Sequence, residues 1–521
     1  MKQTFYISTP IYYPSNKLTL GNCYTTVYCD VLARFHRMLG KDVYFLTGTD
    51  EHGQKIAKVA KEQGLAEKKY LDKMVSDIKD LWRVMGISYD HFIRTTDDHH
   101  TRAVAAAFTK MHEAGYIYKS EYSGSYCSPC ESFWADAQLV EGNCPDCKRA
   151  VSPNKEEAYF LKMQPFTDKL KKLLQTNEFL VPEHKVKEML TFINEGLQDV
   201  CVSRTTVKWG IPVPFDPRHT IYVWVDALLN YVTALGYGSD DDALFKKFWP
   251  GDIHVVGKEI ARFHSIIFPA VLMALGVPLP KVVYSHGWML FGNDKLSKSK
   301  ATNATEVLDP KLLVERYGLD AVRLNLAKLL PVGQDAAYTT PEFIAKYNQD
   351  LSGNYGNCVS RTLSMVTKFS GGKVPAAKGF YPADKALLDA IISAKANMIK
   401  AMEALDTREG AAQALSVFDC LNKYVNDMAP WELAKADPKR LDTVLNLLVN
   451  GVAFGSALLY PFIQDGTAKV MGALGVDLAT LDITKMGMDL VAAGTQVGEL
   501  GVLYPRLNLA EELGWHAQWV N

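Results

Sequence analysis

Two Cys-x-x-Cys pairs, Cys127–Cys130 and Cys144–Cys147, stand 13 residues apart. That spacing lets four thiolates converge on one ion, and zinc is the ion that all-sulfur tetrahedra favour. With every ligand a thiolate and no open position, the metal is expected to be structural, one ion per chain. Such a site contributes on the order of 10 kcal/mol to local folding. A redox pair, or two unrelated pairs, competes for either motif alone; the two together favour zinc. The other five cysteines (Cys23, Cys29, Cys201, Cys358 and Cys420) are scattered. A disulfide framework is therefore not indicated, and a reducing, cytoplasmic setting is expected.

The cysteine region interrupts an alternation of strands and helices. Residues 5–13 are aromatic and β-branched, as in a strand, and Pro14-Ser15-Asn16 breaks the run. Tyr24, Val27, Tyr28, Val31, Leu32, Phe35 and Leu39 then recur at helical spacing. Val43 to Thr47 reads as a second strand, with helices over 54–85 and 98–114. The pattern resumes with the apolar runs 221–226, 252–257 and 281–285. The fold class expected is α/β: a doubly wound, Rossmann-like parallel sheet split by a zinc-ribbon insertion, with its site at the strand C-termini. An all-helical bundle follows, with long periodic segments at 341–369, 382–404, 408–429 and 441–463. The expected divisions are 1–115 and 213–294 for the two halves of the sheet domain, 116–212 for the insertion, 295–350 for a loop and linking helices, and 351–521 for the bundle with its tail. The last 40 residues carry no strong pattern.

At 521 residues the chain is too long for one ordinary core. Its 57 basic and 58 acidic side chains exclude a generally basic coat but not a local basic patch. The uncharged run from Val444 to Phe462 is long enough for a membrane span. Its two asparagines, two glycines and proline favour a buried helix instead, so no membrane partner is expected. The N-terminus lacks a charged-then-apolar export signal.

Two further groups carry chemistry. Lys295-Leu-Ser-Lys-Ser299 places two lysines and two hydroxyls on a loop. It is either solvated surface or a device that neutralises triphosphate charge, Lys298 acting as pyrophosphate leaves. Thr19-Leu-Gly-Asn22 sits at a helix start, where Gly21 permits close backbone approach and the helix dipole favours anions. Alone, that second signal is weak.

Taken in order, Ser8 to Asn22, Leu46 to Gly53, Tyr222 to Ala227, Gly257 to His264 and Lys295 to Ser299 resemble the catalytic domain of the methionyl-tRNA synthetases. Asn357 to Arg361 and Ala429-Pro-Trp431 resemble that family's anticodon-binding bundle. The likeness spans about residues 4–465, and the combination is far more specific than any one motif. It departs in one place: the usual His-Ile-Gly-His is here Thr19-Leu20-Gly21-Asn22, with both histidines absent. Losing an imidazole donor without replacement costs about 10²–10³ in rate.

The resemblance implies ATP-dependent ligation of methionine to methionine tRNA through a methionyl-adenylate, with Mg2+ accompanying ATP. Carried over by position, Thr19, Asn22, Lys295 and Lys298 act in catalysis. Gly21, Gly257, Glu259, His286 and Lys298 serve ATP. Asp50 takes the methionine ammonium, where an ordinary helix-capping aspartate is the alternative. Ile11, Tyr13, Trp224, Tyr231, Ile260 and His264 form the side-chain pocket, an aromatic lining suited to a thioether. Without the resemblance, Trp224, Tyr231 and His264 would read as core. Asn357, Arg361 and Trp431 read the anticodon, by edge hydrogen bonds and stacking. The small insertion implies no separate editing site, and a monomer is expected. A synthetase-like paralogue that binds without activating, and a ligase for another aliphatic amino acid, are the competing readings.

Overall fold

The structure is a computed structural model and describes residues 2–127, 132–134, 139–145, 147–291, 294–295 and 309–520. Its centre is a six-stranded sheet in which every neighbouring pair is parallel. In spatial order the strands are His91–Arg94, Asp42–Thr49, Thr4–Ser8, Ile253–Gly257, Val282–His286 and Leu180–Val181. From the first strand the chain builds outward in one direction, then returns beside it and builds in the other. Chain direction therefore switches between Thr4–Ser8 and Ile253–Gly257, where Ile7 pairs with Ile253 and Ser8 with His254. A crevice opens at such a switch, outside the carboxyl ends of the two strands.

Side chains alternate across the sheet with a period of two. Phe5, Ile7, Val43, Phe45, Val255 and Tyr284 pack on one face against the helix Leu20–Met38. Tyr6, Tyr44, Leu46, Ile93, Val256 and Val283 pack on the other with the helices Asp98–Glu113 and Val223–Thr233. The first of these cores continues without a break into the helical bundle.

The insertion contains a four-stranded antiparallel sheet built on the pairing of Ile117–Cys127 with Ser152–Leu161. It is not a detached module, because Leu180–Val181 crosses back and pairs with Val282–His286 at the edge of the central sheet. One expectation fails here. The run 221–226 forms a strand only at Thr220–Ile221, and the helix Val223–Thr233 follows. Nearly every residue of that helix is buried, including Asp226, Asn230 and Thr233, so no solvent-facing side marks a helical period within the short run 221–226.

The bundle comprises Asn357–Ser370, Pro382–Glu403, Thr407–Met428 and Pro438–Leu459. The last contains the membrane-length apolar run, and 89% of its apolar window is buried in the protein. Gly451 and Gly455 permit close helix packing: a Cβ there would lie 2.4 Å from Leu421 and 2.6 Å from Phe418. The C-terminal segment is ordered by tertiary bonds rather than by pattern. Tyr504 donates to Asp320 at 2.7 Å, and Asn348 exchanges two bonds with the Leu507 backbone at 2.8 and 2.9 Å. The helix Leu509–Val520 docks through Glu512, which accepts from Nε and Nη2 of Arg316, each at 2.9 Å.

A buried ion pair joins the sheet domain to the bundle. Asp30, on the helix Leu20–Met38, receives Arg323 at 2.6 Å, Arg34 at 2.7 Å and the Ser88 N–H at 2.7 Å. Arg323 also donates to the carbonyls of Met85, Phe462 and Pro461, so it touches both domains. Burial alone would raise the Asp30 carboxyl, but the two guanidiniums outweigh it and hold the group down at about 2. Its stabilising contribution is complete above the ordinary value of 3.8 and is lost as pH falls through about 2. Removing one partner strands a buried charge, which costs about 3–5 kcal/mol. Thermal unfolding of Asp30→Leu, which leaves the fully buried Arg323 guanidinium without that carboxylate, should show a loss of that order. The double variant Asp30→Leu/Arg323→Leu should recover part of it, because the uncompensated charge is gone.

Candidate active site

Four of the segments singled out above leave the central sheet at its carboxyl edge. Residues 9–22 follow the strand Thr4–Ser8, and Asp50 is the first residue after Asp42–Thr49. Gly257 ends its strand, with Glu259, Ile260 and His264 just beyond, and His286 ends Val282–His286. Each lies at a carboxyl end around the switch-point crevice, so the sheet brings together residues far apart in sequence.

At the first loop, Thr19 caps the helix Leu20–Met38 and Asn22 turns back onto it. The Asn22 Oδ1 accepts the Thr19 N–H at 3.0 Å and the Thr19 hydroxyl at 3.2 Å. This leaves the Asn22 amide N–H groups as the donors of the motif. A Cβ on Gly21 would meet only Thr19 Oγ1, at 3.7 Å. Internal packing therefore does not require this glycine, whereas an outside group approaching the backbone would.

On the opposite side, a Cβ on Gly257 would lie 2.5 Å from the Glu259 carboxylate. The Trp288 indole N–H donates to Glu259 at 2.8 Å, and Lys258 is held by Asp335 at 2.7 Å. His286 is engaged by the protein itself. Its Nε2 meets the Thr25 hydroxyl at 2.9 Å and its Nδ1 meets the Gly287 carbonyl at 2.7 Å. The ring thus braces the helix Leu20–Met38 against the strand end. Lys295 pairs through its backbone with Leu290, and Lys298 lies outside the described residues.

Ile11, Trp224 and Ile260 line the margin of the apolar cluster that also contains Tyr231 and Phe263. Trp224 stacks flat on Phe263, with centroids 3.8 Å apart and planes 8° apart, and meets His264 edge-on at 6.3 Å. His264 lies on a stretch of π-helix, Phe263–Ile267, a local irregularity frequent at functional sites. Its Nδ1–H donates to the Ile260 carbonyl at 2.9 Å and its Nε2 accepts the Tyr231 hydroxyl at 2.8 Å. Tyr13 stands apart from this cluster, beside Trp209, and its hydroxyl donates to the His52 carbonyl at 2.9 Å.

Sequence reasoning passed over several side chains in these segments. Glu51 takes Arg94 through both oxygens at 2.7 and 3.0 Å. Asp226 receives His52 at 2.7 Å and His100 at 2.8 Å. Arg262 lies 4.3 Å over the Trp134 ring and 5.3 Å from the Phe263 ring, so it joins the ribbon to the pocket stack. Glu51, Asp226 and Arg262 all stand inside the motifs quoted above, which was the available signal. Nothing marked His100 beyond its place at a helix start.

In the ribbon, the sulfurs of Cys127, Cys144 and Cys147 all lie within 4.8 Å of one another. Cys127 and Cys147 are 3.5 Å apart. That is far beyond a disulfide bond of about 2.05 Å and near the roughly 3.8 Å edge of a tetrahedron with Zn–S bonds of about 2.3 Å. The three thiols therefore fit a zinc knuckle, while Cys130 lies outside the described residues. In the bundle, Asn357 and Arg361 sit one turn apart and pair with Asn422 at 3.4 Å and Asn426 at 2.9 Å. They line a cleft of about 870 Å³. Trp431 lies outside that lining, 44% exposed, on the adjoining helix Pro430–Ala436.

A switch-point crevice carrying these motifs, followed by a helical bundle, is the plan of a class I tRNA synthetase. The family model described as tRNA synthetases class I (M) matches residues 5–153 and 149–363. The model for the anticodon binding domain of methionyl tRNA ligase matches 374–521. The methionine–tRNA ligase of Caldanaerobacter subterraneus is 48% identical over 98% of this chain and 80% of its own length. That of Clostridium tetani is 49% identical over the same shares. The Mycobacterium tuberculosis methionyl-tRNA synthetase, solved in complex with methionyl-adenylate, superposes with a TM-score of 0.92 at 34% identity. The superposition covers 97% of this chain and all of that one. The chain belongs to the methionyl-tRNA synthetase family.

Burial holds His264 down at about 4 and the neighbouring His254 at about 3. Between 6.5, the ordinary histidine value, and 4, the unfolded chain takes up a proton that the folded His264 refuses. Stability accordingly falls as pH drops through that window. Ring-nitrogen NMR should show His264 neutral and untitrated from pH 8 to about pH 5; a midpoint near the ordinary value would mean that the ring faces water.

Proposed function

We infer that this protein ligates L-methionine to methionine tRNA at the expense of ATP, through a methionyl-adenylate intermediate. What supports this reading is that the segments bearing Asp50, the Gly21 helix start and the Gly257–Glu259 turn follow the carboxyl ends of neighbouring strands, with Trp224 stacked on Phe263 just beyond that turn. The chain's similarity to methionine–tRNA ligases over nearly its whole length supports it.

In the first step the methionine carboxylate attacks the α-phosphate of ATP and pyrophosphate leaves. No protein nucleophile is needed, so positioning and charge stabilisation supply the acceleration. Asp50 pairs with the ammonium. Ile11, Trp224, Tyr231, Ile260 and His264 enclose the thioether, Tyr13 bounds the site from the side of the Asp50 loop, and a neutral His264 adds no charge beside it. Gly21 lets the nucleotide approach the helix N-terminus, with the Asn22 amide offering donors and Thr19 orienting it. Gly257 and Glu259 meet the adenosine, and Lys295 and Lys298 neutralise the phosphates. His286 holds the strand end in place from behind. Mg2+ bound with ATP supplies further charge neutralisation. Cys127, Cys130, Cys144 and Cys147 hold one structural zinc. Asn357, Arg361 and Trp431 read the anticodon. The divisions near 115, 212, 294 and 350, a cytoplasmic location and a monomeric state complete the proposal.

The second reading, a paralogue that binds without activating, is favoured by one observation: Thr19 and Asn22 bond to each other where two imidazoles usually stand. Methionine-dependent ATP–pyrophosphate exchange separates the two. Exchange with methionine, and not with leucine, isoleucine or cysteine, is expected; binding of methionine without exchange would establish the paralogue.

A second measurement isolates the bundle. Arg361→Ala and Trp431→Ala should each lower kcat/KM for tRNA charging by about 10–100-fold, the size of one lost base contact. Both should leave pyrophosphate exchange unchanged, because the anticodon takes no part in adenylation.

A further inference from the structure

If Asp50 is to take a ligand ammonium, the loop 50–53 must be held by its other groups. The Asp50 N–H donates to the Tyr12 carbonyl at 3.0 Å, and the Glu51 N–H to the Thr95 hydroxyl at 2.9 Å. The Gly53 N–H donates to the Trp209 carbonyl at 3.0 Å. The anchor that reaches deepest is His52. Its Nδ1–H meets Asp226 Oδ2 at 2.7 Å, while its carbonyl accepts the Tyr13 hydroxyl at 2.9 Å.

Asp226 is 1% exposed and sits on the helix Val223–Thr233, two residues after Trp224. Two residues turn a helix by about 200°. Trp224 therefore faces Phe263 while Asp226 faces the opposite way. Its second oxygen takes the Nε2–H of His100 at 2.8 Å, and His100 Nδ1 meets the Thr233 hydroxyl at 2.7 Å. His100 has no exposed surface, and it belongs to the helix Asp98–Glu113. One carboxylate thus fixes three elements against each other: the loop bearing Asp50, the helix bearing Trp224 and Tyr231, and the helix behind them.

We propose that His52 and His100 are positioning residues of the methionine site. By bonding the two oxygens of Asp226, they set the distance between the ammonium-binding loop and the Trp224 wall. Neither histidine needs to touch methionine. The bonds of this network reach none of the residues assigned to ATP, so it should act on methionine and leave ATP alone. The proposal rests on reading Asp50 and Trp224 as methionine contacts.

The test uses the geometry of the side chains. Asparagine Nδ2 lies as many bonds from Cα as histidine Nδ1 does, and glutamine Nε2 as many as histidine Nε2. His52→Ala should raise the methionine KM in pyrophosphate exchange by about 10–100-fold, the usual effect of losing an outer hydrogen-bonding partner. The ATP KM should stay within about twofold. His52→Asn should restore methionine binding where His52→Gln does not, and at His100 the order should reverse. Asp50→Ala is measured beside them. If it leaves the methionine KM unchanged, the reading of the site fails and the proposal with it. If Asp50→Ala weakens methionine but asparagine and glutamine behave alike at position 52, the proposal alone is overturned. A joint rise of both KM values with a lower melting temperature also overturns it, since that marks a purely structural role.

Discussion

Parallel strands cannot be joined by tight hairpins, so each hands the chain to a crossover, and every strand ends at the same edge. In this protein that constraint does most of the assembling. Residues near 11 and 50 lie about two hundred or more positions from those near 257 and 286 yet emerge beside them, because Ile7 pairs with Ile253 across the switch point. The alternation of side chains through the sheet then fixes a core on each face. The loops at the carboxyl edge remain to carry polar groups. Site and fold are consequences of the same strand order.

The sheet and the bundle are not loosely tethered. The core beneath one face of the sheet runs on into the bundle, and Arg323, with no exposed surface, bonds Asp30 on one side and the Phe462 carbonyl on the other. A buried ion pair adds little net stability compared with a well-packed apolar contact. Its value here is directional, since guanidinium geometry admits few arrangements of the elements it joins. The C-terminal segment strengthens the same junction through Tyr504 on Asp320 and Glu512 on Arg316.

Much of this was legible in the amino-acid sequence, for identifiable reasons. The parallel sheet showed through short apolar runs ending in polar turns, and the cysteine spacing announced its own convergence. The helices from 382 onward carried a clear period. What stayed hidden lacked a period or a local cause. The helix Val223–Thr233 buries its polar side as well as its apolar one, so the short run 221–226 reads as a strand. The helix Leu509–Val520 is held by distant partners that no window of sequence contains. The return of Leu180–Val181 to the main sheet is a two-residue pairing with no pattern to betray it. At the site, motifs named the candidate contact residues. The groups that hold them, Asp226 above all, depend on a partner such as His100, which lies 126 residues away in the chain.

The column Trp134, Arg262, Phe263 and Trp224 has a consequence for how the insertion can change over evolution or by design. Arg262 also lies 5.4 Å from the Phe192 ring, so the ribbon rests on a footprint contributed by three separate parts of the chain. A knuckle transplanted without that footprint would have nothing to sit on, and a pocket stripped of its knuckle would lose the far end of its stack. The heritable unit is therefore the cysteine-bearing hairpin together with its landing surface, and substitutions at 134 and 262 should be found to travel as a pair.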